Sequence, residues 1–309
     1  MNDVTITDIK KLIVPSADSH KGQNGRMLLV GGSHLFHAAS LWSLTIASRI
    51  VDLVHYASVP ENNDIVQKAK EEFRNGIVVH RRDIEEYIKE DDVILIGPGM
   101  MRSDELKVSS RQYPVDRMTD IDEIEDEGVQ TAVLTNYLLK KYPEKQWVID
   151  AGALQMIDIS LIPKHAILTP HHGEFEGLWK KYREENTSHN VGEMNNESSL
   201  EEKVKTVAER YQCIVLHKGP EDIGCDGSTG DLRRICGGNA GMTKGGTGDV
   251  LAGLIAALAC TNDPFLATIT GSFINKKAGD ALYETVGPFF NASDLAGQIP
   301  KTMKEILLP

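Results

Sequence analysis

The sequence is short of cysteine, of long apolar runs and of positive charge, and each shortage excludes a class of protein. Only four cysteines occur in 309 residues: Cys213, Cys225, Cys236 and Cys260. No two are spaced C-x-x-C, and no flanking histidine completes a zinc pattern. A disulfide scaffold and a zinc module are both excluded, and reduced structural thiols in a cytoplasmic protein are expected. The most apolar run, Val250 to Cys260, is too short for a bilayer, which needs about 20 residues. The opening MNDVTITDIKKLIVP lacks the basic start and apolar core of a secretory signal. A soluble protein without a membrane partner is expected. Lys and Arg number 33 against 45 Asp and Glu, for a formal net charge of -12. A general nucleic-acid binder needs basic surface, so nucleic acid is not an expected partner. A small anion stays open, because a nest of backbone N–H groups can hold one.

Hydrophobic residues at 41% and charged residues at 25% are ordinary for a globular chain and exclude collagen, coiled coil and wholesale disorder. The length alone suggests two domains at about 150 residues each. No convincing linker divides it, so one domain over residues 1–309 is expected. Two polar insertions read as surface loops or flaps without a role of their own: 116–127, with seven acids and one arginine, and 184–199.

Five short runs are apolar throughout and end in glycine, aspartate or Thr-Pro: 27–32, 93–99, 147–152, 166–170 and 214–219. Continuous rather than alternating apolar residues mark strands buried on both faces, as in a parallel sheet. The long segments between them leave room for crossover helices. An open doubly wound α/β sheet binds ligands beyond the carboxyl ends of its strands, where these glycines, Asp150 and Thr169-Pro170 fall.

The sharpest feature is GGNAGMTKGGTGDVLAG over 237–253, with six glycines between Gly237 and Gly248. A helix follows, since Val250, Leu251, Leu254, Ile255 and Leu258 form one apolar stripe. Glycines let backbone approach a ligand closely. Free N–H groups feeding a helix N-terminus make an anion site. The pattern is not the Walker loop, because no G-K-[ST] occurs. Asp249 reads either as a helix cap or as a base. Inside a phosphate cradle a capping carboxylate would repel the anion, whereas a base that takes a proton from an attacking hydroxyl must stand there.

This segment resembles the C-terminal signature of the ADP/ATP-dependent NAD(P)H-hydrate dehydratases, of the ribokinase-like superfamily. Further matches follow in order: Lys21-Gly22, Gly25, Gly31-Gly32-Ser33, Gly97-Pro98-Gly99, Asp150 to Leu154, Leu168 to Phe175 and Lys218-Gly219. The resemblance covers about residues 20–300. It implies a doubly wound three-layer sandwich with a mostly parallel central sheet; because the first motif, Lys21-Gly22, stands so near the start, the separate N-terminal epimerase domain that many relatives carry is not expected. It implies a substrate, NADHX or NADPHX, in which water has added to the nicotinamide ring. A nucleotide, ADP or ATP, would phosphorylate the added hydroxyl with Mg²⁺ between its phosphates. Phosphate would then leave and restore NADH or NADPH. Asp249 would be the base, and the amides of Gly246, Thr247 and Gly248 would form the anion hole. Lys218, Gly219, Pro220, Glu221, Asp222 and Asn239, with Gly248, would bind the nucleotide. Ala39, Gly99 and His171, with Asp249, would bind the substrate. A homo-oligomer is implied as well. A small-molecule kinase of the same superfamily shares G-x-G-D and stands as the alternative.

Several residues keep two readings. Glu174 reads as a Mg²⁺ ligand through water or as a helix cap. Lys244 reads as a phosphate contact or a solvated lysine. His34 and His37, spaced i, i+3, read as surface histidines rather than a metal pair. Phe289-Phe290 reads as core or subunit contact.

Overall fold

Side chains alternate across the central strands, and this alternation divides the apolar residues between two cores. In the computed structural model, which describes residues 1–69, 75–103, 118–186 and 198–308, Met27 and Leu29 enter one core while Leu28 and Val30 enter the other. Val93 and Leu95 part from Ile94 and Ile96 in the same way. The five apolar runs are strands buried on both faces, as their composition predicts.

The strands are β1 (Asn2–Asp3), β2 (Arg26–Val30), β3 (Leu53–Ala57), β4 (Ile77–Val78), β5 (Val93–Ile96), β6 (Gln146–Ile149), β7 (Ile167–Leu168), β8 (Ile214–His217), β9 (Asp222–Asp226) and β10 (Leu232–Ile235). They form one sheet in the order β1-β10-β9-β8-β7-β6-β5-β2-β3-β4. From β4 to β8 every pairing is parallel. Among the described residues only β9 runs against its neighbours, making a hairpin with β8 and another with β10. β3, β9 and β10 were not among the runs singled out above: Gly224 and Asp226 interrupt one, and Arg233 and Arg234 interrupt another.

Helices α1 (Ile6–Ile9), α2 (His37–Ala47) and α3 (Pro60–Ala69) cover one face. They are joined there by α10 (Thr247–Ala259), α11 (Pro264–Val286) and α12 (Ala292–Leu307). The other face carries α4 (Ile84–Glu90), α5 (Met118–Ile121), α6 (Glu127–Lys141), α7 (Ala151–Met156), α8 (His172–Asn186) and α9 (Leu200–Tyr211). The result is a doubly wound three-layer sandwich. From β2 the chain winds to β3 and β4, then returns to β5 on the other side of β2. Strand order reverses between β2 and β5, the place where such sheets open a crevice beyond their carboxyl ends.

The acidic insertion departs from the expected solvated loop. Residues 116–117 lie outside the described residues, but Met118 and Ile121 of α5 are buried. Asp126 caps α6 by accepting the Val129 amide at 2.7 Å, and Asp122 pairs with the buried Arg81 at 3.2 Å. Asp126 secures a helix start, where negative charge is favoured, and Asp122 partners a buried cation. Most of the second insertion, 187–197, lies outside the described residues. Its end, Ser199, caps α9 in a capping box with Glu202. Among the described residues no helix is long and apolar enough to cross a membrane. All four cysteines are free.

Candidate active site

The sheet's alternation continues past β8 and fixes two side chains in opposite directions. His217 turns toward α8, with its ring 5.4 Å from that of Phe175. Lys218 turns toward α10. Its amide donates to Pro170 O at 2.8 Å, which keeps the tips of β7 and β8 in register. The Lys218 ammonium donates to Asp150 Oδ1 at 2.9 Å, and the Thr169 hydroxyl donates to the same oxygen at 2.8 Å. A Cβ built on Gly248 would stand 3.5 Å from Lys218 Nζ. The tips of β6, β7 and β8 thus meet the first turn of α10.

That turn is held open by Gly246, the N-cap, whose φ of +96° is left-handed and suits glycine. The Trp42 ring of α2 packs where its Cβ would be. Gly246 has no side chain with which to cap α10, and Asp249 stands at the third helical position, where its carboxyl accepts from its own amide. The Gly248 amide has no hydrogen-bond acceptor among the described residues, leaving it for an anion as a helix start allows. The Thr247 hydroxyl is spent on Met242 O and Lys244 O, at 2.7 and 2.9 Å.

Burial raises the Asp249 carboxyl to about 7, and the neighbouring Asp150 carboxylate raises it too, while Lys218 opposes them. Burial also works against the Lys218 charge. The Asp150 and Glu174 carboxylates outweigh it and hold that lysine above its ordinary value. A carboxyl poised near neutrality beside a fixed cation can accept a proton at physiological pH.

The Ser43 hydroxyl donates to Asp249 O at 2.7 Å. Ala39 lies one turn before Ser43 on α2, on the same helix face. A Cβ on Gly99 would stand 3.0 Å from that of Ala39. Ala39 and Gly99 therefore adjoin each other at the β2–β5 crevice, one turn of α2 from the Ser43 that holds the Asp249 backbone.

On the other side of Lys218 opens a cleft of about 670 Å³. His171, Lys218, Gly219, Pro220, Asp222, Asn239, Thr247 and Gly248 line it. Several expected residues stand elsewhere. Glu221 is exposed outside the cleft and pairs with Arg234 at 3.8 Å. Asp222 reaches the cleft wall, but its carboxylate turns inward, accepting the Gly219 amide at 2.8 Å and the Ser272 hydroxyl at 2.7 Å. Gly246 lies behind the cleft against Trp42. Glu174 forms a reciprocal cap on α8. Its Oε2 accepts the His171 amide at 2.9 Å, and its own amide donates to His171 Nδ1 at 3.2 Å. Its other oxygen accepts from Gln155 at 3.1 Å. Lys244 points away, to Pro288 O and the Phe290 ring. His34 pairs with Glu127 and His37 with Asn62, so they do not converge. Phe290 is buried and Phe289 is exposed. Sequence reasoning missed Asn275 and Lys276 as cleft-lining residues. They sit mid-helix in α11, and nothing in the pattern separates buried Lys276 from exposed Lys277.

A family model described as NAD(P)H-hydrate dehydratase matches residues 27–301. The chain belongs to this family. It is 32% identical over 306 residues to the bifunctional NAD(P)H-hydrate repair enzyme of Methanocaldococcus jannaschii, covering 96% of this chain and 52% of that protein. The chain thus spans about half the length of that relative. It is 30% identical over 310 residues to the ADP-dependent (S)-NAD(P)H-hydrate dehydratase of Nitrosopumilus maritimus, covering 96% of each. The fold is shared with the ADP/ATP-dependent NAD(P)H-hydrate dehydratase of Bacillus subtilis co-crystallised with ATP/Mg²⁺. That match has TM-score 0.71 at 20% identity, over 99% of this chain and 98% of that one. A ribokinase-like superfamily protein from Enterococcus faecalis superposes with TM-score 0.77 at 19% identity, over 100% and 97%.

Proposed function

We propose that this protein dehydrates NADHX and NADPHX back to NADH and NADPH at the expense of a nucleotide, with ADP converted to AMP and phosphate. The carrying observation is Asp249: a carboxyl raised to about 7 in the first turn of α10, beside the open Gly248 amide and within the field of Lys218. Asp249 takes the proton of the added hydroxyl as that oxygen bonds to the transferred phosphorus. The bond from phosphorus to the nucleotide's bridging oxygen breaks. Charge on the phosphoryl group meets the N–H groups of Thr247 and Gly248 at the start of α10, where preorganised donors stabilise it most, and Gly246 behind the cleft shapes that turn. The Lys218 ammonium, held by Asp150, adds a fixed positive charge on the same side. Phosphate is a far better leaving group than hydroxide. It departs with the electron pair of the C–O bond, and the ring loses the neighbouring proton.

The nucleotide occupies the cleft between Lys218 to Asp222 and Asn239. The hydrated nicotinamide lies along Ala39, Gly99 and His171. Mg²⁺ carried on the nucleotide phosphates would supply charge neutralisation. It needs only one or two protein carboxylates, and Glu174, whose oxygens already accept hydrogen bonds, suits contact through water. The reading includes a cytoplasmic metabolite-repair role, one catalytic unit over residues 1–309, and a homo-oligomer to which exposed Phe289 offers an apolar contact.

The test mixes hydrated NADH with purified protein, Mg²⁺ and either ADP or ATP, and follows the return of reduced-nicotinamide absorbance. Recovery that depends on one nucleotide is expected, with phosphate released. Nucleotide binding without recovery would overturn the reading in favour of a kinase that leaves phosphate on a hydroxylated metabolite.

A further inference from the structure

Two loops form the far end of the cleft, one after β8 and one after β10, and a single buried side chain joins them. Lys276 Nζ donates to Gly219 O at 3.1 Å and Pro220 O at 3.0 Å in the first loop, and to Gly237 O at 3.3 Å in the second. Asp222 Oδ1 lies 3.2 Å away. Lys276 is 5% exposed and Asp222 is 4%. The second loop folds onto the lysine stem: a Cβ on Gly238 would stand 3.3 Å from Lys276 Cγ, and one on Gly237 would stand 3.6 Å from Lys276 Cβ.

We propose that the Lys276 ammonium is a tethered cation in a carbonyl cage that holds the two nucleotide-facing loops at their working separation, making Lys276 a positioning residue for nucleotide affinity. The donor set supports this. Three carbonyl oxygens and one carboxylate oxygen surround a compact charge with three N–H donors, a geometry that suits ammonium and not the planar fork of arginine. A charge removed from water is tolerated only when it is fully partnered. Asp222 balances it and is itself fixed by Gly219 and Ser272. Every acceptor belongs to a residue that lines the cleft, so the clamp acts where the nucleotide is proposed to bind. Lys218, by contrast, faces Asp150 and the reacting end.

A cage for a cation should accept an untethered one. In Lys276→Ala the lost atoms correspond to propylammonium. Propylammonium should raise the melting temperature of this variant more than tetramethylammonium, which has no N–H donor, at equal ionic strength, and should leave the natural protein unmoved. This readout needs no nucleotide and no turnover. Calorimetric binding of ADP and ATP should then weaken about tenfold or more in the variant, the worth of one hydrogen bond to a charged group, and recover with propylammonium. A double variant, Asp222→Asn with Lys276→Met, removes both charges so that no ion is left unpaired. It should fold and still bind nucleotide weakly, and it decides alone if Lys276→Ala does not fold.

Equal effects of the two ammonium ions, or natural affinity in the double variant, would overturn the proposal. The affinity effect rests on the nucleotide reading of the cleft. If the natural protein binds neither ADP nor ATP, that reading fails, while the propylammonium result still decides whether the cage is a cation site.

Discussion

Asp249 and Asp150 are two carboxylates with opposite duties, and their surroundings separate them. Asp150 accepts from Lys218 and Thr169, while Asp249 is desolvated beside that negative charge. Asp249→Asn should retain nucleotide binding and lose turnover by about 10²- to 10⁴-fold, the usual worth of a general base. Single-turnover rates alongside calorimetric binding check this, and full activity would remove the assignment. Turnover should also fall as pH drops through about 7, where Asp249 takes up its proton. Stability moves in the opposite sense. A carboxyl raised in the fold binds a proton on folding between its unfolded value, near 3.8, and about 7. Its ionisation therefore destabilises the fold increasingly as pH rises through that window. The Asn variant should melt higher than the natural protein at pH 8, and the gap should close toward pH 4. Calorimetric scans across that range would show a constant gap if Asp249 were an ordinary surface acid. His171→Ala should weaken binding of hydrated nicotinamide more than of nucleotide. Equal weakening in titrations of both would count against its placement.

At the level of elements, the start of α10 is where packing and chemistry coincide. Gly246 must be left-handed at φ +96° and must leave room for Trp42. Gly246→Ala would meet both objections. A non-glycine in that backbone region costs about 1–3 kcal/mol before the clash is counted, and the displaced turn carries the proposed anion hole. The variant should melt several degrees lower and lose turnover together with stability. An unchanged melting curve would mean that the turn is not constrained by Trp42. The same economy appears at α8, where Glu174 and His171 cap each other. It appears again after β10, where the Asn239 side chain accepts the Gly241 amide at 3.0 Å and donates to Asp280 at 3.3 Å. Residues that line the cleft also terminate elements.

Across the whole molecule, a net charge of -12 is compatible with an anionic ligand because the attraction is local. Buried Lys276, half-buried Lys218, the open Gly248 amide and a helix start line the cleft, where Asp150 and Asp222 are paired with those lysines, so the attraction is set locally rather than by net charge. The four thiols are equally distributed by burial rather than by chemistry. Cys213 and Cys225 are buried, burial raises both, and only Cys236 is exposed. Burial also raises Cys260, whose thiol donates to backbone carbonyls. A thiol reagent should modify one cysteine rapidly in the native protein and four in guanidinium. The melting temperature should not depend on reductant. Rapid labelling of more than one thiol would show that the sheet opens on that timescale.

The strands and the glycine segment were legible in the sequence because both rest on local rules. Buried strands need continuous apolar runs, and a helix start that receives an anion needs glycine before an apolar stripe. β9 and β10 were not, since Gly224, Arg233 and Arg234 break the apolar run, and the arginines find their partners in Asp231 nearby and in Asp3 and Asp8 at the other end of the chain. Glu174 had two readings that sequence could not separate. The structure shows it in a reciprocal cap with His171 at the start of α8, and what folding adds is the Gln155 amide on its other oxygen. The assignment of Asp222 to the nucleotide side was implied by the family resemblance, and the residue does line the cleft. That its carboxylate meets Lys276, 54 residues further on (276 − 222), could not be read from the sequence. Sequence by itself determined which residues stand at strand tips and helix starts, because backbone geometry is decided nearby. Which side chains face one another across the cleft was decided only by tertiary structure. Partners such as Lys218 with Asp150 and Lys276 with Asp222 are brought together by the order of strands in the sheet.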